Sequence, residues 1–234
     1  MESLAPGQGG AVHIWLEWVD AAGEPEGSAT LDDDELLRAG RFLFERDRRR
    51  FVARRAFLRR ILAGYAGVAP VSIRYRRSAA GKPELLDARG LAFSTSHADG
   101  LAIVAVATQG EVGVDVERMR PVAEARDLAR RLFTDRESEH LGSLPPAMVS
   151  EAFLQLWTRK EAYVKALGRG LSMPLDGFEV LPRADGDVVA PGDAGDRPAI
   201  RLWSLDVPAG YIATVATTAA THAPEQPVRM AMAS

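Results

Sequence analysis

The chain contains no cysteine, and its 234 residues include only four histidines, His13, His97, His140 and His222. Disulfide bonds are therefore excluded, and too few soft ligands remain for a typical zinc or iron–sulfur site. A metal site in this chain would have to use oxygen ligands. No apolar run approaches the ~18 residues that cross a membrane. The first ten residues lack the basic start and apolar core of a signal peptide, so we expect a cytoplasmic protein without a membrane partner.

The composition is that of an ordinary soluble protein, with 47% hydrophobic and 26% charged residues. The net charge is only -3, but residues 38–60 contain ten arginines and two acidic residues. This segment should attract anions, although a solvated basic helix would have the same composition. No nucleic-acid recognition motif accompanies the arginines, so we do not expect a nucleic-acid partner.

Hydrophobic periodicity predicts mixed α and β structure in both halves of the chain. In the N-terminal half we expect a helix over about 47–65 and strands near 11–19, 71–76, 91–97 and 101–107. The last two strands should form a hairpin across Asp99-Gly100. In the C-terminal half we expect helices near 122–132, 135–142 and 148–167, with strands near 112–117, 176–182, 198–206 and 210–217. Residues 184–197 are rich in Gly, Asp and Pro, which predicts a loop, and the tail from about 219 is expected to be disordered.

Charged residues alternate with valines in the sequence VGVDVE at 112–117. On a strand, Gly113, Asp115 and Glu117 would share one face, with the two carboxylates roughly 7 Å apart at their Cα atoms. Such a pair suits Mg²⁺, which prefers carboxylates together with substrate phosphates. The glycine would leave room for a ligand. An edge strand with a solvated polar face would show the same pattern.

A second set of charges interrupts the apolar stripe of the helix predicted over 148–167. Lys160 and Glu161 lie in the turn between Trp157 and Val164, and Lys165 follows Glu161 by four residues. Glu161 and Lys165 could form a helix-stabilising pair worth ~0.3–0.5 kcal/mol. The functional interpretation makes Glu161 a third carboxylate and leaves Lys160 and Lys165 for phosphate.

Further basic residues come from the N-terminal half. Arg55 occupies an apolar face of its helix, where either phosphate binding or a buried ion pair would explain it. Lys82 lies in the turn GKPEL, and Ser96 and His97 lie near the expected hairpin tip. None of these is specific alone. Together these residues predict a site in which two or three carboxylates bind Mg²⁺ and the basic side chains bind a polyphosphate.

The ordered set of motifs resembles the Sfp-type 4′-phosphopantetheinyl transferase family. The resemblance extends from the arginine-rich helix through residues 168–178, and the acidic strand and the W-x-x-K-E-A helix are its specific parts. The motifs are Gly81-Lys82-Pro83, Ser96-His97, Gly113 to Glu117, Phe133 to Glu137, and Trp157 to Lys165. The family often has asparagine where Ser94 stands and serine or threonine where Ala98 stands.

The resemblance implies a monomer of class α+β with two similar α/β subdomains related by a pseudo-twofold axis. We expect these at 1–108 and 109–218, with coenzyme A in the cleft between them and a disordered tail at 219–234. By motif position, Asp115, Glu117 and Glu161 would hold Mg²⁺, and Glu161 and Lys165 would be catalytic. The coenzyme would be contacted by the remaining basic and polar candidates, namely Arg50, Arg55, Lys82, Ser96, His97 and Lys160, with Arg50 and Arg55 at its 3′-phosphate.

The implied reaction is attack by a serine of an apo-carrier protein on the β-phosphate of coenzyme A, with release of 3′,5′-adenosine bisphosphate. Glu161 is a candidate general base, although a carboxylate that holds Mg²⁺ is a poor base. Two other functions stay open: a non-catalytic coenzyme A or nucleotide-binding protein, and an Mg²⁺-dependent phosphohydrolase. The sequence does not indicate whether the acceptor carrier (acyl, peptidyl or aryl) belongs to fatty-acid, polyketide or nonribosomal-peptide synthesis.

Overall fold

The computed structural model describes residues 11–20, 28–78, 81–86, 90–168, 173–182, 188–190, 200–218 and 225–229. Two four-stranded sheets, one in each half of the chain, form the framework. Within the described ranges, no helix has the length and apolar character needed to cross a membrane.

The first sheet has the strand order β10-β1-β5-β4, and β2 and β3 form a separate two-stranded ribbon. A short helix and a 22-residue helix belong to this half. Its elements are β1 (Val12–Trp18), α1 (Asp33–Ala39), α2 (Glu45–Ala66), β2 (Tyr75–Arg77), β3 (Pro83–Leu85), β4 (Ala92–Ala98), β5 (Leu101–Ala107) and, from the end of the chain, β10 (Glu225–Arg229).

The second sheet has the order β6-β9-β8-β7 and packs against a second 22-residue helix, α5. Its elements are β6 (Val112–Arg118), α3 (Ala125–Leu132), α4 (Asp135–Ser143), α5 (Pro146–Leu167), β7 (Val188–Ala190), β8 (Ile200–Ser204) and β9 (Tyr211–Thr217). Each half therefore joins one sheet to one long helix, which confirms the predicted α+β class with two subdomains.

The two halves share an apolar core. Residues of β1 and β5 pack with Val112, Val114 and Val116 of β6, and these three valines are at most 2% exposed. The alternation predicted for β6 is therefore confirmed, since its valines face the core and its polar side chains point the other way. Because this one cluster draws on strands of both sheets, burial of apolar surface holds the halves together.

The predicted hairpin between β4 and β5 is confirmed, and Asp99 at its tip has a positive φ of 46°. The strand expected over 176–182 is wrong: a 3-10 turn, Leu175–Gly177, precedes irregular backbone. The reason is that side chains of α4 and α5 take the backbone groups a strand would use. Glu137 accepts the Val180 N–H, and Lys160 donates to the carbonyls of Leu175 and Phe178.

Two further expectations need correction. The tail expected to be disordered contains β10, which pairs in parallel with β1 at Glu225–Arg229 and so uses backbone groups that β1 would otherwise leave open at the sheet edge. The expected loop at 184–197 includes β7, which pairs with β8. The other residues of both segments, and residues 169–172 of the motif region, lie outside the described ranges.

Helix α1 had no counterpart in the predicted elements. It begins with a capping box, in which Asp32 accepts the Glu35 N–H and Glu35 accepts the Asp32 N–H. Glu35 also pairs with Arg55 and with the fully buried Arg59. Helix α1 is thus attached to α2 by ion pairs rather than by a long apolar stripe, which is why hydrophobic periodicity missed it.

Candidate active site

Asp115 lies where β6 meets both α5 and β4. Its Oδ1 accepts hydrogen bonds from Ser96 Oγ at 2.8 Å and from Lys165 Nζ at 2.7 Å. The second oxygen, Oδ2, is buried and has no hydrogen-bond partner among the described residues. A buried carboxylate oxygen without a partner is costly, so this atom marks a position where a ligand is expected.

Glu117 and Glu161 lie beside Asp115, from β6 and α5 respectively. Burial raises the pKa of both side chains, and the negative charge of Asp115 raises it further. Lys165 opposes both shifts, and a hydrogen bond from Trp157 also lowers the pKa of Glu117. The charge of Arg120 also lowers the pKa of Glu117, but burial is the largest influence on both side chains, so both carboxylates are more readily protonated than in water.

These residues fit a hard cation in chemistry. A divalent ion at Asp115 Oδ2 would satisfy that oxygen, and it would offset both the burial and the repulsion from Asp115 that raise the pKa of Glu117 and Glu161. The described residues do not, however, contain three such side chains already gathered around one metal position. The carboxylates would supply oxygen ligands, and a bound phosphate would have to complete the coordination of the cation.

The glycine of the acidic strand has a different role from the one we expected. A Cβ atom on Gly113 would overlap the carbonyl oxygen of Ala162 and the amide nitrogen of Ala166, both in α5. Gly113 thus leaves room for the backbone of a helix and not for a ligand. Its consequence is that α5 lies directly on β6, which brings Lys165 to Asp115.

The ammonium group of Lys165 donates hydrogen bonds to two residues of β6. Besides Asp115, Nζ donates to the carbonyl of Val114 at 3.1 Å, and the side chain remains 30% exposed. The helical neighbour Glu161 is thus not needed to explain the position of this lysine. A partly exposed ammonium beside three carboxylates can reach an anion that enters the site.

Lys160 lies away from this cluster, contrary to the expectation that it binds phosphate. It is fully buried, with Nζ 2.7 Å from Glu137 Oε2 and 2.6 Å from the carbonyls of Leu175 and Phe178. The ring of Phe133 lies beside the ammonium as well. The motifs Phe133 to Glu137 and Trp157 to Lys165 therefore meet through Lys160 in the core.

Lys82 connects the two halves. Its Nζ lies 2.7 Å from Glu111 Oε2 and 3.3 Å from the carbonyl of Ala166, in the last turn of α5. Its aliphatic chain covers Gly168, where a Cβ would come within 3.1 Å of Lys82 Cδ. A lysine at this position stabilises a helix C-terminus. In the structure this side chain thus anchors the end of α5.

The arginines of α2 differ in whether they form an ion pair with an acidic residue of the described ranges. Arg50 is bonded to Asp20 through two contacts of 2.6 Å, and Arg55 is paired with Glu35. For Arg55 the structure therefore shows the ion pair that we weighed against phosphate binding. Arg54 has no ion-pair or hydrogen-bond partner in the described part of the chain, and burial and Arg50 lower its pKa.

Arg54 was not among the candidates predicted from the sequence, because nothing in the sequence distinguishes it from the nine other arginines of residues 38–60. Arg54 lies close to His97. Burial lowers the pKa of His97 to about 4, and among the nearby cations Arg54 lowers it the most. An unpaired arginine beside a neutral histidine is suited to an anion. No sequence signal separates Arg54 from Arg50 and Arg55, because their acidic partners, Asp20 and Glu35, lie outside α2 and pair with them only in the folded chain.

Comparison with known proteins now identifies the chain. A family model described as the 4′-phosphopantetheinyl transferase superfamily matches residues 111–216, and one described as 4′-phosphopantetheinyl transferase, N-terminal, matches residues 26–109. The transferase HetI of Nostoc sp. is 43% identical over 83% of this chain and 81% of its own. The chain belongs to the 4′-phosphopantetheinyl transferase superfamily.

Other transferases are similar over shorter or more divergent stretches. A Bacillus subtilis 4′-phosphopantetheinyl transferase is 30% identical over 82% of this chain and 86% of its own, and Sfp of B. subtilis strain 168 is 30% identical over 63% and 65%. The holo-[acyl-carrier-protein] synthase of Thermotoga maritima aligns with a TM-score of 0.38 at 22% identity, covering 46% of this chain and 61% of that one. The relationship to the Sfp-type transferases expected from the motifs is confirmed.

Proposed function

We propose that the phosphopantetheinyl transfer of this family takes place in this chain where β6, α5 and β4 meet. The enzyme moves the 4′-phosphopantetheine group of coenzyme A to a serine of an apo-carrier protein. We assign Asp115, Glu117 and Glu161 to a bound Mg²⁺. The observation that supports this assignment is the buried Asp115 Oδ2, which lacks a partner among the described residues and lies beside two carboxylates of raised pKa.

The reaction forms a bond between the serine oxygen and the β-phosphorus of coenzyme A. The bond from that phosphorus to the bridging oxygen breaks, and 3′,5′-adenosine bisphosphate leaves. A bound Mg²⁺ would supply charge neutralisation at the diphosphate. Lys165 has the position to stabilise charge on the transferred group, since its ammonium is partly exposed beside the carboxylates.

The proton of the attacking serine must be accepted by a base. Glu161 is our candidate, because burial and Asp115 raise its pKa from the ordinary value and so increase its basicity. A carboxylate that holds the cation would lose much of this basicity, so Glu161 would act most effectively through a water molecule.

The phosphates of the coenzyme would extend toward the N-terminal half. Arg54 and His97 are our candidates for the 3′-phosphate, because Arg54 has no ion-pair or hydrogen-bond partner in the described ranges and is close enough to His97 to affect its pKa. Arg50, which also affects the pKa of His97, could contribute only by leaving or sharing Asp20. Arg55 could contribute only by leaving or sharing Glu35. We make no assignment of Lys160 to the coenzyme, since its ammonium is fully buried.

We also propose that the enzyme acts as a monomer in the cytoplasm. The proposed site takes Ser96 from one half and Asp115 and Lys165 from the other half of the same chain, so no second copy is needed to complete it. The absence of cysteine is compatible with a reducing compartment. Light scattering of the purified protein tests the monomer.

Mass spectrometry of carrier proteins tests the proposed reaction. Purified protein, coenzyme A and Mg²⁺ should add about 340 Da to at least one apo-carrier from a panel of acyl, peptidyl and aryl carriers. Replacing the acceptor serine by alanine should remove the addition. The carriers that react would identify the pathway. Breakdown of coenzyme A without any carrier, and no labelled carrier, would support a phosphohydrolase instead.

A further inference from the structure

The edge strands β4 and β6 face each other across the junction of the two halves, and two serines bridge them. Ser94 Oγ accepts the backbone N–H of Val114 at 3.1 Å, and Ser96 Oγ accepts that of Val116 at 3.3 Å. Ser94 and Ser96 are two residues apart on β4, and their partners are two residues apart on β6. The two serines therefore repeat the same connection at successive steps along the strands.

Only one of the two serines also reaches a carboxylate. Ser96 Oγ donates to Asp115 Oδ1 at 2.8 Å, whereas Ser94 has no such contact among the described residues. Because Lys165 Nζ binds the same oxygen, Oδ1 is held from two directions. The rotation of the carboxylate is thereby restricted, and Oδ2 is the oxygen left available.

The hydroxyl chemistry of Ser96 limits what else it can bind. A serine hydroxyl has one proton to donate, and phosphate oxygens without protons only accept hydrogen bonds. While Ser96 donates to Asp115, it cannot also donate to a phosphate of the coenzyme. As long as this hydrogen bond is kept, the Ser96 hydroxyl is not a donor for the coenzyme contact that the motif resemblance implied.

We infer that Ser96 is a positioning residue, which holds the Asp115 carboxylate so that Oδ2 is presented to the cation and couples the N-terminal half to the metal site. This inference rests on the proposed function for the role of Asp115. Residues that orient metal ligands commonly contribute 10–100-fold to metal affinity. The same hydrogen bond would transmit a displacement of β4 directly to the carboxylate.

Ser94 supplies a matched control, because Ser94→Ala and Ser96→Ala each remove a hydroxyl from the same junction. Mn²⁺ would serve as the probe, with its binding followed by electron paramagnetic resonance in the presence of coenzyme A and without carrier. We expect Ser96→Ala to weaken Mn²⁺ binding about tenfold and to lower kcat with KM for coenzyme A changed less than about twofold. Ser94→Ala should leave Mn²⁺ affinity within about twofold of the wild type.

Ser96→Thr tests rescue, since threonine keeps a hydroxyl and suits a strand. It should restore most of the Mn²⁺ affinity, and equal melting temperatures of the variants would exclude a general loss of folding. The inference is overturned if Ser94→Ala and Ser96→Ala weaken Mn²⁺ binding equally. It is also overturned if Ser96→Ala raises KM for coenzyme A and leaves Mn²⁺ binding unchanged.

Asp115→Ala in the same assay separates this inference from the proposed function. Loss of Mn²⁺ binding in Asp115→Ala together with normal binding in Ser96→Ala would overturn the role of Ser96 alone. Normal Mn²⁺ binding in Asp115→Ala would overturn the metal assignment and the role of Ser96 with it.

Discussion

The ammonium of Lys160 lies 2.7 Å from the carboxylate of Glu137, and neither side chain is exposed to solvent. Burial lowers the pKa of Lys160, and the hydrogen bond and charge of Glu137 oppose that shift. The Phe178 ring lies 4.4 Å from the ammonium. Lys165, five residues later, keeps 30% of its side chain exposed and contacts Asp115. Helix α5 thus carries one lysine that is buried in the core and one that lies at the candidate active site.

Lys160→Met should destabilise the protein without disabling chemistry. Removing one partner leaves the Glu137 charge buried and unpaired, which commonly costs about 3–5 kcal/mol. Urea unfolding should show this loss, while kcat of the folded fraction stays within about threefold of the wild type. The double variant Lys160→Met/Glu137→Gln should recover part of the stability. A tenfold lower kcat at normal stability would show instead that Lys160 takes part in the reaction.

Lys165→Met should have the opposite effect. Removing a group that stabilises charge in a transition state commonly costs ~10²–10³ in turnover, so we expect kcat to fall at least tenfold with little change in melting temperature. Lys165→Arg should recover only part of the rate, because guanidinium keeps the charge and alters its shape. Steady-state kinetics with an apo-carrier measures both. Normal turnover with a lower melting temperature would make Lys165 a structural residue.

Arg54 and Arg55 provide a neighbouring pair with different surroundings. We expect Arg54→Ala to raise KM for coenzyme A and to reduce the preference for coenzyme A over dephospho-coenzyme A, because its guanidinium has no ion-pair or hydrogen-bond contact in the described ranges and the charge of Asp47 acts on it only from a distance. Arg55→Ala should mainly lower stability, because it removes the ion pair with Glu35. An unchanged preference in Arg54→Ala combined with a lost preference in Arg55→Ala would reverse the assignment.

His97 should make folding stability depend on pH. Burial, assisted by Arg54, Lys165 and Arg50, lowers its pKa to about 4, whereas an unfolded histidine has a pKa of ~6.5. As the pH falls through the interval between these values, the unfolded chain binds a proton that the folded chain does not, so the free energy of unfolding decreases.

The variant His97→Gln isolates this contribution, because other titrating groups affect both proteins alike. We expect the wild type to lose more free energy of unfolding than His97→Gln when the pH falls from about 7 to about 5. Urea unfolding at both pH values measures the difference. Equal losses would show that His97 is protonated as readily in the folded protein as in the unfolded chain.

Much of the fold and of the site was predictable because the signals were local. Alternation in β6 correctly assigned its valines to the core and its carboxylates to the other face, and the hairpin at Asp99-Gly100 was confirmed. The features that were missed depend on distant contacts. Lys160 is defined by Glu137 and by carbonyls of a later segment, and Gly113 is defined by a helix about 50 residues away. Hydrophobic periodicity contains no information about such pairings.

The rate at which Asp115→Ala labels an apo-carrier with phosphopantetheine tests the account most directly. With coenzyme A and Mg²⁺, the wild type should add about 340 Da to the carrier, and Asp115→Ala should be slower by at least ~10²-fold at an unchanged melting temperature. The loss follows from removing the oxygen that we assign to the cation. Labelling by Asp115→Ala at the wild-type rate would contradict the proposed site.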